Sequence, residues 1–279
     1  MISLLSMRSR LIIFICILSF LSGPLSRGQT LKLSTQSDSA AFYYRSGWRS
    51  IMDDGMYTLS EVHFRQSVAH DPSFLLAQCQ VARLSKSEEE RNEILALVRK
   101  NLKSVSKDEQ LLLDNFIELI ILTNLREAQD TAALKIQAKK ALTLAEQNLR
   151  EFSSSYPDEV YHNCEFIEVI NYLYGPKAAI DTLEGMKNGL LNHNTFMIGY
   201  KAHLLAQIKE FDQATDLVDQ LKNRVNSTLP KPHVVEGLIA EEKGEVKTAL
   251  ASAQNALRID PGNIDAQRLE ARMLRLSTN

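Results

Sequence analysis

The sequence predicts an all-α fold, a solenoid of stacked antiparallel helix pairs with about 13 helices, and three observations predict it. From Ser39 onward apolar residues recur at intervals of three and four, which sets them on one stripe of an α-helix, while strand-type alternation is nearly absent. Only 11 Gly and 7 Pro punctuate 279 residues, too few for a chain of short strands and tight turns. Small and apolar residues also repeat in a fixed phase. Ala249, Ala253, Ala256 and Pro261 are spaced by 4, 3 and 5, and the same spacings recur in Ser60, Phe64, Ser67, Pro72 and in Ala145, Leu149, Phe152, Pro157. Ala145, Ala179, Ala214 and Ala249 follow one another at 34 or 35 residues, the period of a stacked repeat.

In chain order, residues 1–28 come first and read as a signal peptide. Arg8 and Arg10 precede an apolar run from Leu11 to Leu21, and small residues at Ser26 and Gly28 suit a signal peptidase. The run is shorter than the roughly 20 residues a membrane span needs. A mature start near Gln29 is expected, with a cut near Ser22 as the alternative, and the chain is expected to be exported, to a bacterial periplasm or outside the cell. The competing reading keeps residues 1–28 as an uncleaved membrane anchor. Cleavage at Gln29 leaves 29 basic against 34 acidic residues, a mildly acidic balance that gives no reason to expect nucleic acid. Cys79 and Cys164 then remain, each in a helical pattern, and are expected to be buried free thiols.

Residues 29–276 carry the helices, separated by short breaks. The first pair turns at Asp53-Asp54-Gly55 and ends at His70-Asp71-Pro72. Further breaks fall at 85–87 and 104–106, where Ser87 with Glu90 and Ser106 with Glu109 form start signals able to cap free backbone N–H groups. After 124–130 and 153–157 come Tyr174-Gly175-Pro176, 191–194, 208–211, 226–232, Lys243-Gly244 and Asp260-Pro261-Gly262. A last helix, from Asp265 to Leu276, bears Arg268, Glu270, Arg272 and Arg275 and suits a terminal cap.

In these spacings the chain resembles the tetratricopeptide repeat family. The stretch 234–263 carries the likeness best, with Gly237 on its first helix, Gly244 at the turn, Ala249 and Ala256 on its second, and Asp260-Pro261-Gly262-Asn263 closing it. Residues 47–72 fit through Gly55, Tyr57, Phe64 and Asp71-Pro72; residues 201–221 fit through Ala202, Phe211 and Ala214; residues 163–186 fit more weakly. The resemblance implies a right-handed superhelical solenoid. It departs from the family at 73–154, where the unit is irregular and one helix pair is too long.

The resemblance also implies a concave groove lined by the first helix of each pair, where a protein or peptide would bind. It brings Arg45, Arg49 and Asp53 to that groove, then Glu168, Asn171 and Tyr172, then His203 and Gln207, and finally Glu241 and Glu242. No motif for phosphate binding, metal-dependent or serine hydrolysis, or disulfide exchange occurs, so the expectation is no catalysis, no cofactor and no metal. His162 and Cys164, two apart, do not share a helix face, and read as a surface His beside a buried Cys. His63 and His70, seven apart, can share one. Phe42, Tyr43, Tyr44, Trp48 and Tyr57 crowd the first pair and are expected to seal the N-terminal end. A hydrolase using Asp53 and Glu168 in one cavity is the remaining enzymatic reading. Asn226-Ser227-Thr228 matches an N-glycosylation acceptor.

Overall fold

The computed structural model describes residues 31–186, 193–225 and 228–277, so the signal-peptide and Asn226 assignments lie outside the described residues. Thirteen α-helices occupy this range: α1 (Asp38–Arg49), α2 (Tyr57–His70), α3 (Leu75–Leu84), α4 (Glu88–Asn101), α5 (Lys107–Glu127), α6 (Thr131–Ser155), α7 (Val160–Tyr174), α8 (Pro176–Gly185), α9 (Thr195–Gln207), α10 (Phe211–Arg224), α11 (Pro230–Lys243), α12 (Val246–Ile259) and α13 (Ile264–Ser277). Among the described residues none is long and apolar enough to cross a membrane.

Local chemistry accounts for the starts. Ser37, Ser87, Ser106, Asp130, Asn194 and Asn263 each accept a backbone N–H from the first turn of the helix they precede. Pro176 and Pro230 open α8 and α11, where a missing N–H costs nothing. The helix α1 continues as a π-helical turn, Ser50–Asp54, and stops at Gly55, whose φ of +72° belongs to the left-handed region.

The helices pack as consecutive pairs, α1/α2, α3/α4, α5/α6, α7/α8, α9/α10 and α11/α12, with α13 laid against the last. Each pair is too short to bury its apolar faces alone, so neighbours must stack. The repeating positions sit where helices cross. Ala179, Ala214, Ala249, Ala253 and Ala256 are fully buried, as are Ser60 and Ser67. Those two serines satisfy their hydroxyls by donating to facing backbone carbonyls, Ser60 to Gly47 at 2.9 Å and Ser67 to Ala40 at 2.7 Å. At the same crossing a Cβ on Gly47 would lie 2.5 Å from the Phe64 ring.

The irregular middle has its own fastening. Arg91 of α4 is fully buried, and its guanidinium donates to the Ser85 carbonyl, to Asn124 and to Glu127, clipping the short second pair onto the long α5. In turn α5 and α6 are joined through Asn148, which donates to the Leu111 carbonyl and to Asn115.

The two ends of the chain meet. Thr58 donates its N–H and its hydroxyl to Asp260, the Asn263 amide donates to the Gly55 carbonyl at 2.7 Å, and the Tyr57 hydroxyl donates to Asp265 at 2.7 Å. One layer away, Asp53 accepts from the Tyr161 hydroxyl, the Asn194 amide and the Phe196 N–H at the start of α9. The turn of the first pair is therefore docked on α7, α9, α11 and α13. Trp48 follows it inward, stacked on Tyr161 and edge-on to His162. The aromatic cluster thus divides, because only part of it can follow the docked turn. Tyr44 and Trp48 are core, as expected, Phe42 is 63% exposed, and Trp48 reaches Phe116 and Tyr161 of α5 and α7.

Two stability predictions follow from this packing. Ala214→Leu should cost ~1–3 kcal/mol by overpacking a closed crossing. Asp260→Ala should cost a similar ~1–3 kcal/mol, because it removes two hydrogen bonds from Thr58 to a charged acceptor where the chain ends join. Urea unfolding followed by far-UV circular dichroism measures both.

Candidate functional site

Where the N-terminal turn covers the inner face of the helix stack, a pocket of about 330 Å³ remains. First helices of the pairs line it: Trp48 from α1, Gln80 and Arg83 from α3, Arg126 from α5, Glu165 and Glu168 from α7, Lys231 from α11, and Asp265 and Arg268 from α13. Tyr57 and Phe196 add aromatic wall. Periodicity alone explains the convergence on one helix, since Glu165 and Glu168 stand three apart and so share a face.

Part of this polar lining is internally satisfied. Arg83 pairs with Glu165 at 3.2 Å, donates to the Gln80 side-chain oxygen at 3.0 Å, and lies over the Phe116 and Trp48 rings. Glu165 also bonds His162 at 3.0 Å. Burial pushes the Glu165 carboxyl upward, but Arg83 and His162 outweigh it and hold the group below the usual carboxylate range. His162 is only 2% exposed, which corrects the reading of it as a surface residue. Its imidazole is enclosed by Trp48, Phe116 and Phe152, and Glu165 supplies the hydrogen bond that makes this burial tolerable.

The rest of the lining is not satisfied. Among the described residues Glu168 has no hydrogen bond or ion pair, and burial together with Glu165 and Asp265 pushes its carboxyl up to about 8. Lys231 is 8% exposed, and its ammonium makes no hydrogen bond or ion pair among the described residues, resting 4.0 Å from the Phe196 ring centre. Burial pulls that ammonium below the ordinary lysine range, against the opposing pull of Asp265, Glu168 and Asp53. Gln80 is 3% exposed and its Nε2 has no acceptor. Its orientation is fixed chemically, because Arg83 can donate only to the amide oxygen, so the NH2 must point the other way. A buried donor without an acceptor costs ~1–3 kcal/mol, so the Gln80 amide is expensive as it stands.

The predicted groove residues divide into three sets. Asn171, Tyr172, His203, Gln207, Glu241 and Glu242 come together on α7, α9 and α11. Asn171 donates to the Tyr200 hydroxyl, Gln207 lies 3.4 Å from the His203 ring, and Tyr172 is 80% exposed. Burial holds the His203 imidazole below its usual range, with Glu242 and Glu241 pulling the other way. Glu241 receives a bidentate bond from Arg272 of α13 at 2.6 and 2.7 Å, and Glu242 pairs with Lys209. Glu168 lines the pocket. Asp53 is consumed by the joining of the chain ends and does not line the pocket, while Arg45 and Arg49 are exposed on α1.

Sequence reasoning missed Gln80, Arg83, Glu165, Lys231 and Asp265. Glu165 was within reach, since it shares a face with Glu168. Lys231, between two prolines, read as loop. Of the expected cap charges, Arg268 lines the pocket and Arg272 binds Glu241. Cys79 and Cys164 are buried free thiols, as expected. Among the described residues no three His, Cys, Asp or Glu side chains gather as a metal site.

The Glu168 environment makes a pH prediction. In the unfolded chain this carboxyl ionises near 4.5; in the folded chain it keeps its proton to about 8. The folded state binds the extra proton between these values, so stability is fullest at the acid end and falls as pH rises toward 8. Glu168→Gln should therefore gain in stability over the parent from pH 5 to pH 8, by up to roughly 4–5 kcal/mol, seen as a rising difference in thermal midpoint, and level off above. A constant difference across that range would contradict the assigned environment.

No protein-family model matches the chain, and no curated protein matches it.

Proposed function

We propose that the chain is an exported, non-catalytic helical-repeat adaptor that holds a protein or peptide partner along the face formed by α7, α9 and α11. One observation carries this reading: Tyr172, Asn171, His203, Gln207, Glu241 and Arg272 come from four successive first-position helices and lie on one surface. There an 80% exposed aromatic ring sits beside fixed hydrogen-bonding groups, including a buried Gln207 oxygen with no donor. Aromatic anchors ringed by polar groups are the usual makeup of a recognition surface. The tetratricopeptide likeness supports the same assignment, and residues 1–28 support export.

A hydrolase is the second reading, and the pocket supplies its observation. Glu168 is pushed up to about 8 while Glu165 is held low, the divergence expected of an acid and a base. Against it, glycoside hydrolysis needs carboxyl groups flanking the scissile bond, and two residues three apart on one helix lie on the same side of any ligand. Glu168 with Asp265 is the pair drawn from different helices. Turnover of a glycoside panel that disappears in Glu168→Gln would move this reading to first place.

For the adaptor, crosslinking and co-purification from the native envelope should recover a protein partner. Tyr172→Ala should lower that recovery on the order of tenfold, since truncating an interface anchor costs ~2 kcal/mol or more. Equal recovery with both proteins, at unchanged thermal midpoint, would remove the groove from the interface. Intact mass should show a chain beginning near Gln29; a species retaining Met1 would favour the membrane-anchored form.

A further inference from the structure

The pocket is a different place from the groove, and its needs are of one kind. Its vacant hydrogen-bonding groups include the Lys231 ammonium, the Gln80 amide N–H and the Trp48 indole N–H, all on residues more than nine-tenths buried, and Glu168. At its rim, Arg126 and Arg268 are exposed and have no ion pair among the described residues. Four basic side chains thus meet three acidic ones, of which Glu165 is already matched to Arg83 and Asp265 accepts from Tyr57. The remaining wall is apolar and aromatic: Trp48, Met52, Leu84, Leu122 and Phe196. A volume of about 330 Å³ is at the small end of ligand sites.

We infer that this pocket binds a small organic acid, its carboxylate taken by Lys231 and Gln80 and its apolar body held against Trp48 and Phe196. The complementarity is one of both charge and number: an anion supplies an acceptor to each vacant donor and offsets the excess of basic groups. Glu168 fits the same ligand. With its carboxyl pushed up to about 8 it is mostly protonated at neutral pH, and presents an O–H donor in place of a repelling charge. Inorganic anions satisfy the donors but leave the aromatic wall unused. An apolar neutral ligand fills the wall and leaves the donors stranded, which is the costlier mismatch. This site is independent of the groove, so the adaptor reading can fail while it stands.

The test uses the protein's own reporter. Trp48 is the sole tryptophan of the sequence and lines the pocket, so its fluorescence reads occupancy directly. Titrating the purified full chain at pH 7 with phenylacetate should give a saturable change, while the neutral isostere phenylacetamide should bind about tenfold or more weakly, the weight of one charge-assisted hydrogen bond. Lys231→Met and Gln80→Met should each weaken phenylacetate by about the same factor, and Arg268→Ala, on the exposed rim, by less. If the buried substitutions fail to fold, the acid-against-amide comparison on the parent chain still decides. Equal binding of acid and amide, no Trp48 response to either, or unchanged affinity in a folded Lys231→Met overturns the assignment. A peptide with a free C-terminus that outcompetes phenylacetate by about tenfold also overturns it, since the carboxylate would then belong to a chain end and not to a small molecule.

Discussion

The corner at Asp260 and Asn263 fixes more of this molecule than any other contact. A stack of helix pairs has two ends, and nothing in nearest-neighbour packing makes them meet. Here the Asp260 carboxylate accepts from the Thr58 N–H and hydroxyl, and the Asn263 amide donates to the Gly55 carbonyl, about two hundred residues earlier in the chain. These bonds are directional, so they set the register of the first pair against the last two helices. Hydrophobic burial alone would permit sliding. Gly55 is required at the contact, since its φ of +72° lets the chain turn there and a Cβ would come within 3.1 Å of the Lys231 backbone. Once the turn is docked, Trp48 and Met52 form one wall of the pocket.

Burial beneath the docked turn explains the electrostatics of Glu168 and Lys231. On an open groove Glu168 and Lys231 would be hydrated, and their charges would cost little. Under the docked turn they lose water without gaining each other, because no ion pair closes between them. The Arg83–Glu165–His162 network shows what the fold does when it intends a buried charge to be structural: every partner is within hydrogen-bonding reach and the rings of Trp48 and Phe116 cover the guanidinium. Two standards of satisfaction within one cavity separate the structural part of the lining from the part left for a ligand.

Much of the fold was legible because helix crossings demand small residues at a fixed interval. Ala179, Ala214 and Ala249 could be found by period alone, and each is fully buried. Ser60 and Ser67 stood in the same phase, and their burial follows from hydroxyls small enough for the crossing and able to bond the facing carbonyl. The pocket was not legible in this way. Asp260 read as a helix end, which it is, but its second role as acceptor for Thr58 depends on where the chain's other end travels, and that is set by the cumulative turn of six stacked pairs. His162 misled for a related reason: polarity argued for the surface, and its acid partner three residues on was the one local sign that it could be buried. The residues on α7, α9 and α11 could be grouped from the sequence because their grouping needs only the phase of the repeat. Asp53, in the same phase, was taken out of it by long-range docking.

Helix α13 brings the two surfaces into one mechanical unit. Asp265, Arg268 and Arg272 are three, four and seven apart, so they share one stripe. Asp265 holds the Tyr57 hydroxyl, Arg268 reaches the pocket rim, and Arg272 grips Glu241 at the groove. The last helix of a repeat array ordinarily serves as a polar cap. Here its inner stripe joins the chain ends, charges the pocket and orders the groove at once. Asp265 and Arg272 anchor the helix at two points seven residues apart, and Arg268 stands between them on the pocket rim, so the residue that joins the chain ends and the residue that holds Glu241 take their register from the same helical stripe.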